Sequence, residues 1–315
     1  MSGDLAWRCE DWRGAGIAQL APLYQSECRR WHETLGWDFG PSCAMIESAR
    51  RARVLPGLVA RAPNGRVAGW SYFVVHDRRL QIGALIAESD GPRRALLRAA
   101  LSSPEAAGTE AASCYLYPQS RSFGRMLEQE GFSVEPHHYM AADLPVAAGA
   151  MTAPWPEGWA LSPLSTADAG ALVDLVAHAY EGTAEGRCFA PDLRRDQWAH
   201  YVGQLMRTGA CGRYLPDVSF TLEEPDDHPV AAILMTRIDE GSAHLAQIVV
   251  DPRRRGRGLA RRLALESLRR LAARGYSRVT LLVSGRNDGA RRLYDGLGFR
   301  TQQLFLHATR AAERA

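Results

Sequence analysis

A mixed α+β fold laid down twice along the chain is the architecture the sequence predicts, on three observations. Strand-like apolar runs and helix-like apolar stripes follow one another in a fixed order: two helices, a hairpin, a strand, a helix, a strand, a helix and a closing strand. That order begins near residue 14 and begins again after residue 160. At a separation of 167 positions, that between Phe132 and Phe299, Gly131-Phe132 falls on Gly298-Phe299 and Arg94-Ala95-Leu96 on Arg261-Arg262-Leu263. With 315 residues, 46% of them apolar and 23% charged, the chain can bury two cores of ordinary size.

In the first half, Ile17, Leu20, Leu23 and Tyr24 lie at helical spacing in a segment that stops near Gly36, and a shorter helix covers Pro41 to Ala52. Leu58–Ala60 and Val67–Val75 flank Pro63-Asn64-Gly65, a hairpin turn. A strand over Leu80–Ile86 leads into a helix carrying Arg94-Ala95-Leu96-Leu97-Arg98. Cys114–Tyr117 is a further strand, Phe123–Leu127 a short helix, and His137–Leu144 closes the half. Ala, Gly and Pro crowd residues 145–159, which places a linker at 148–160 between domains at 1–147 and 161–315.

In the second half, Leu172, Leu175, Val176 and Ala179 stripe one helix face and Asp196–Met206 forms a second helix. Val218–Thr221 and Val230–Ile238 form the hairpin around residues 223–227. His244–Val250 is an apolar strand ended by Pro252, which lacks a ladder donor. Arg253-Arg254-Arg255-Gly256-Arg257-Gly258 then opens into a helix with Ala260, Leu263, Ala264, Leu268 and Leu271 on one face, stopping at Gly275. Val279–Val283 is the next strand, and Asn287 begins a helix containing Tyr294.

The glycine turn between strand and helix carries the chemistry. Gly256 and Gly258 let the backbone turn with its amides unobstructed, where the positive end of a helix dipole and several arginines converge, and such a place suits a phosphate-bearing ligand. There is no Lys-Ser/Thr after the second glycine, so it is not a P-loop, and no GxGxxG for a dinucleotide fold. The first half lacks the turn. Glu88-Ser89-Asp90-Gly91-Pro92-Arg93 stands in its place, with two carboxylates that would repel phosphate and a proline that removes a donor.

Arg255-Gly256-Arg257-Gly258-Leu259-Ala260 resembles the [Q/R]-x-x-G-x-[G/A] motif of the GCN5-related N-acetyltransferases (the GNAT superfamily). The later motif N-x-x-A-x-x-L-Y-x-x-x-G-F is present without a gap as Asn287, Ala290, Leu293, Tyr294, Gly298 and Phe299. The resemblance implies two tandem GNAT-like domains, each a mostly antiparallel sheet flanked by helices around a central parallel strand pair. Glu88–Arg93 make the first copy a degenerate one that is not expected to bind CoA, and the resemblance extends to the tandem architecture of mycothiol synthases and some other small-molecule acetyltransferases. For the second copy it implies acetyl-CoA as acyl donor. Pantetheine would pair with Ile248, Val249 and Val250 between splayed strands, the amides of Arg255, Gly256, Arg257, Gly258, Leu259 and Ala260 would cradle the pyrophosphate, and Asn287 would cap a helix and touch the cofactor. An amide of Val249 or Val250 would polarise the thioester carbonyl. Tyr294 would protonate the leaving thiolate, with a packed helix tyrosine as the alternative.

For the base, His244 stands at the start of the motif strand, where some relatives carry a glutamate, and its ordinary pKa suits the task. Gln247 could only position a water; Leu282 excludes a base in the second strand. Glu181, Glu185 and Asp239 are reserves, and Glu181 and Glu185 would favour a cationic amine at an acceptor wall that includes residues 201–214. The acceptor is expected to be a small-molecule amine or a protein amino terminus. A non-catalytic acyl-CoA sensor is the second reading. A nucleic-acid patch at Arg253–Arg257 is the third, and it lacks a second basic cluster and interleaved aromatics. Net charge is +3, and six scattered cysteines show neither CxxC nor metal-ligand spacing, so no metal and no nucleic acid are expected. The acidic N-terminus and the absence of a long apolar run predict a cytoplasmic protein with no membrane partner.

Overall fold

The computed structural model describes residues 7–117, 120, 122–146, 155–183, 185–208, 211–225 and 228–311. The chain divides into two units, one of residues 1–137 with 304–315, the other of residues 138–303. Most of the expected linker, residues 148–154, lies outside the described residues.

The first unit begins with a short strand β1 (Arg8–Asp11), followed by α1 (Ile17–Leu35) and α2 (Gly40–Arg51). α1 stops where expected, because Gly36 takes a left-handed conformation (φ 63°) and returns its amide to His32. The hairpin follows as β2 (Gly57–Arg61) and β3 (Val67–His76), then β4 (Arg79–Ala87), α3 (Asp90–Leu101), β5 (Ala111–Leu116) and α4 (Phe123–Gln129). Neighbouring strands are antiparallel from β1 to β4, and β4 and β5 are parallel. One core packs α3 and α4 on the sheet through Leu96, Leu97, Phe123 and Leu127; the other packs α1 and α2 through Leu20, Tyr24 and Ile46 around Trp12 and Trp70. Continuous burial over Val67–Ser71 of β3 thus serves both faces.

The strand expected to close this unit, β6 (Ser133–Asp143), leaves it half-way, since residues 138–143 belong to the second unit. Met140 and Ala142 are buried in the second unit's core. The first unit is closed instead by residues 304–311 of the last strand, β13 (Arg300–Ala311), which run antiparallel to β5 from Leu306↔Leu116 to Ala311↔Ala111. Leu306 and Ala308 fill its core. A sequence periodicity shows that a strand has an apolar side; it does not show which core receives it.

The second unit contains β7 (Ala160–Pro163), α5 (Ala169–Ala179), a single-turn α6 (Gly186–Phe189) and α7 (Arg195–Gly203), which runs on into a π-helical turn at Gln204–Thr208. Then come β8 (Arg213–Tyr214), β9 (Phe220–Glu223), β10 (Pro229–Asp239), β11 (Ser242–Val250), α8 (Leu259–Ala273), β12 (Arg278–Ser284) and α9 (Asp288–Gly296). Sheet order is β7-β9-β10-β11-β12-β6, with β8 on the far end of β10; β11 and β12 run parallel, and β10 is antiparallel to β8, β9 and β11, as β9 is to β7. α8 and α9 cover one face through Leu263, Leu268, Leu271 and Tyr294, and α5 and α7 cover the other through Leu172, Val176, Trp198 and Val202. The mixed, mostly antiparallel sheet with one central parallel pair is the expected fold class. β1, β7, β8 and α6 were not foreseen; each has four residues or fewer, too few for a period to register.

Candidate active site

The site grows from one irregularity in β11. β11 and β12 pair only from Ser242↔Arg278 to Leu245↔Leu281, although β11 continues to Val250 and β12 to Ser284. Just beyond the last pair, β11 carries an extra residue: Leu234 opposes Gln247 and Met235 opposes Leu245, which leaves Ala246 as a bulge. A bulge bends its strand and increases its twist, so the strand ends part and a gap opens between them. Asp251 N donates to Val230 O at 2.8 Å. By alternation the amides of Gln247 and Val249 face β10, and those of Ile248 and Val250 face the gap. Of the two amides expected at a thioester carbonyl, Val250 is therefore the one that can reach it. The Ile248 amide is held by Gln247 Oε1 at 3.0 Å.

Eight residues, Asp251–Gly258, connect β11 to α8, whereas two, Glu88 and Ser89, connect β4 to α3. Asp251 starts the loop by accepting from Arg253 N at 2.8 Å. Gly256 (φ 76°) and Gly258 (φ 74°) are both left-handed, and a Cβ on either would meet nothing within 4 Å. Backbone conformation demands glycine here, and open space lies over both residues. Among the described residues, the amides of Gly256, Arg257, Gly258, Leu259 and Ala260 have no protein acceptor. Five donors beside a helix N-terminus, with open space before them, fit a pyrophosphate.

The arginines divide the work. Arg254 is bound bidentately by Glu224 at 2.7 and 2.9 Å. Arg255 donates to Ala179 O at 2.6 Å and to Val250 O at 3.4 Å, tying the loop to α5. Arg253 lies near Asp251 and 3.5 Å from His178. Arg257 makes no hydrogen bond or ion pair with a described residue, and its charge acts on Glu224, already bound by Arg254, only through space. Of four arginines in the motif, two hold the loop's shape.

In the first unit the equivalent helix starts with an acidic residue. Asp90 accepts from Ser120 at 3.1 Å, and Ser122 and the buried Arg93 also bond its carboxylate. Arg93 donates in addition to Ala87 O at 2.8 Å, and is 2% exposed. The first residue of that helix thus carries a carboxylate held by the chain's own side chains.

Tyr294 is 5% exposed, and its hydroxyl bonds no described residue. Burial, with the Tyr180 phenol beside it, pushes its pKa above the ordinary tyrosine range, so it remains a proton-bearing donor. Asn287 caps α9 through Oδ1, which accepts from Ala290 N at 3.0 Å, and its amide NH₂ is left over. Tyr180, at the end of α5, stacks on Trp198 at 5.5 Å and meets Phe189, which packs on Tyr201 at 4.7 Å. Gln247 joins this aromatic wall to β11: its Oε1 accepts from Tyr180 at 3.4 Å and its Nε2 donates to Tyr201 at 3.2 Å. Sequence reading placed Gln247 and the stretch 201–214 separately, and nothing in their spacing shows that three elements converge. Glu185 is half-buried with its charge near Tyr180, while Glu181 points out, 78% of its side chain exposed, beside His178 at 3.5 Å. Asp239 sits at the far end of β10, opposite Ser242 and away from the gap.

His244 does not behave as expected. It lies in the closed part of the β11–β12 pair, 5% exposed, with Nδ1 2.8 Å from Thr280 Oγ1 and its ring stacked on Tyr139. Burial pushes its pKa down to about 3, and so weak a base accepts little at neutral pH. The consequence falls on stability. Below pH 6.5 the unfolded state takes up a proton that the folded state refuses, so stability should fall as pH drops from 6.5 toward 3. Between pH 6.5 and 5 this amounts to about 2 kcal/mol. Denaturant midpoints measured over that range should decline, and His244→Gln should flatten the slope.

The sequence model described as the Acetyltransferase (GNAT) family matches residues 180–299, the span that holds the wall, the gap, the loop and Tyr294. The [Ribosomal protein bS18]-alanine N-acetyltransferase of Haemophilus ducreyi is 38% identical over 108 residues, which cover 33% of this chain and 70% of that protein. This chain belongs to the GNAT acetyltransferase family. The mycothiol acetyltransferase of Clavibacter sepedonicus is 28% identical over 284 residues, 88% of this chain and 84% of that one. Two further mycothiol acetyltransferases, 42% and 35% identical, are matched over only 27% and 29% of their own length. A GNAT structure from Sphaerobacter thermophilus superposes with a TM-score of 0.66 over 97% of this chain and 95% of its own, at 20% identity, a likeness of fold. Among the described residues no helix is long and apolar enough to cross a membrane.

Proposed function

We propose that this GNAT protein transfers an acetyl group from acetyl-CoA to a small-molecule primary amine, and that the second unit alone does so. The observation that carries the reading is the open Asp251–Gly258 loop, with its unpartnered amides, at the mouth of the β11–β12 gap. Acetyl-CoA supplies an activated acyl group. The amides of Gly256–Ala260 and the charge of Arg257 would hold its phosphates. The NH₂ of Asn287 is a further donor at the start of α9.

The Val250 amide would donate to the thioester oxygen as negative charge develops there, a contribution of about 3 kcal/mol in comparable sites. The amine nitrogen bonds the acyl carbon as the carbon–sulfur bond breaks. Tyr294 then gives its proton to the departing thiolate and regains one from water; a cationic amine gives up one proton to water before it attacks and a second once the C–N bond has formed, since His244 is closed off. Glu185 draws a cationic amine toward Tyr180, and Glu181 adds only a distant charge. A small acceptor is favoured by the match to the mycothiol acetyltransferase of Clavibacter sepedonicus, which runs through both units.

Titration calorimetry with acetyl-CoA tests the assignment. One site per chain is expected, because Asp90 occupies the corresponding helix start in the first unit. Two sites would mean that Asp90 is displaceable. No binding would remove the donor reading, and with it the transferase reaction. A panel of primary amines, scored by release of free thiol, then identifies the acceptor.

A further inference from the structure

Gln247 sits where the gap meets the aromatic wall, and every polar atom of its carboxamide is accounted for. A carboxamide oxygen has two lone pairs. One receives the Ile248 amide at 3.0 Å and the other the Tyr180 hydroxyl at 3.4 Å, while Nε2 reaches Tyr201 at 3.2 Å. The side chain is 7% exposed, so solvent offers little replacement for any partner that leaves. Ile248 faces the gap, and β12 stops pairing three residues before it, at Leu245. Gln247 therefore serves as a local substitute for a strand that is missing. A side-chain carbonyl caps an amide that any extended ligand with its own carbonyls would compete for.

On the donor-binding reading above, we infer that Gln247 relays occupancy of the β11–β12 gap to the acceptor wall. An amide carbonyl of the donor's pantetheine arm takes the Ile248 N–H. Gln247 Oε1 then loses one of its two donors, and the carboxamide re-seats against Tyr180 and Tyr201. One lone pair is left turned toward the wall where an amine N–H can fill it. Leaving it empty in so buried a place is unfavourable, so the site becomes ready for an amine once the donor is in place. Gln247 is a positioning residue in this scheme. It transfers no proton and forms no bond to the acyl group.

The test uses CoA, which carries the same pantetheine arm and does not react. The protein is labelled with ¹³C in its tyrosine rings, and the Tyr180 and Tyr201 signals are assigned by Tyr180→Phe and Tyr201→Phe. In the wild-type protein both ring signals should shift on CoA addition, saturating with the calorimetric Kd. In Gln247→Met, similar in size but without hydrogen bonds, CoA should still bind and both shifts should shrink at least threefold. Tyr201→Phe leaves the Gln247–Ile248 contact intact, so the Tyr180 response should persist there even if the methionine variant fails to fold. Bound CoA with unmoved rings, or full shifts in Gln247→Met, would overturn the relay and leave the donor assignment standing. Absence of CoA binding in the wild-type protein would overturn both.

Discussion

Gly258→Asp should weaken CoA binding on the order of a hundredfold while leaving the fold intact. Position 258 is left-handed, a conformation aspartate tolerates better than most residues, and the added side chain meets no neighbour within 4 Å. A carboxylate at a helix N-terminus is also locally favourable. The chain already contains this arrangement at the start of α3, where Asp90 is satisfied by two serines and an arginine. The damage is therefore confined to the ligand. A negative charge about 4 Å from a phosphate costs on the order of 3 kcal/mol near a surface, which is the stated loss in affinity. Gly258→Asn, with the same shape and no charge, should lose far less. Equal CoA affinity in Gly258→Asp and the wild-type protein, measured by calorimetry, would refute the loop as the phosphate site.

Tyr294→Phe should lower kcat about a hundredfold or more and change CoA affinity by less than about threefold. Its hydroxyl makes no hydrogen bond to a described residue, so removing it breaks no contact that holds the fold, and the melting temperature should stay within a few degrees. The pH profile offers a second readout. The phenol of Tyr294 has a raised pKa, so the protonated form is retained through neutral pH and above. Any loss of kcat from its ionisation belongs on the alkaline side, above the ordinary tyrosine range. Full turnover in Tyr294→Phe would make this residue a packing tyrosine of α9.

Much of this site could be read from the sequence because its parts are local. Gly256 and Gly258 are required by backbone angles over eight consecutive residues, and Asn287 caps the helix that it begins. The gap was expected from the family resemblance, but its cause, the bulge at Ala246, is a mismatch between β10 and β11 that no single strand reveals. His244 misled for a related reason. A histidine at a strand start reads as solvent-facing, yet here β12 supplies Thr280 and β6 supplies Tyr139, and both cover it. The arginine cluster overstated its cationic character, since Arg254 and Arg255 are spent on Glu224 and on backbone oxygens contributed by distant segments.

The pairing of residues 306–311 with β5 also bears on how the polypeptide is made. Translation delivers β1 through β5 first, yet the strand that covers the β5 edge emerges about two hundred residues later. Until then the nascent first unit carries an open sheet edge and an apolar surface awaiting Leu306 and Ala308, a state prone to pairing with other chains. Loss of residues 304–311 would therefore injure the earlier-made first unit, and leave the second unit, with the proposed donor site, comparatively unharmed. Residues 1–137 and 304–311 are bound into one folding event, so the order of synthesis and the order of completion differ.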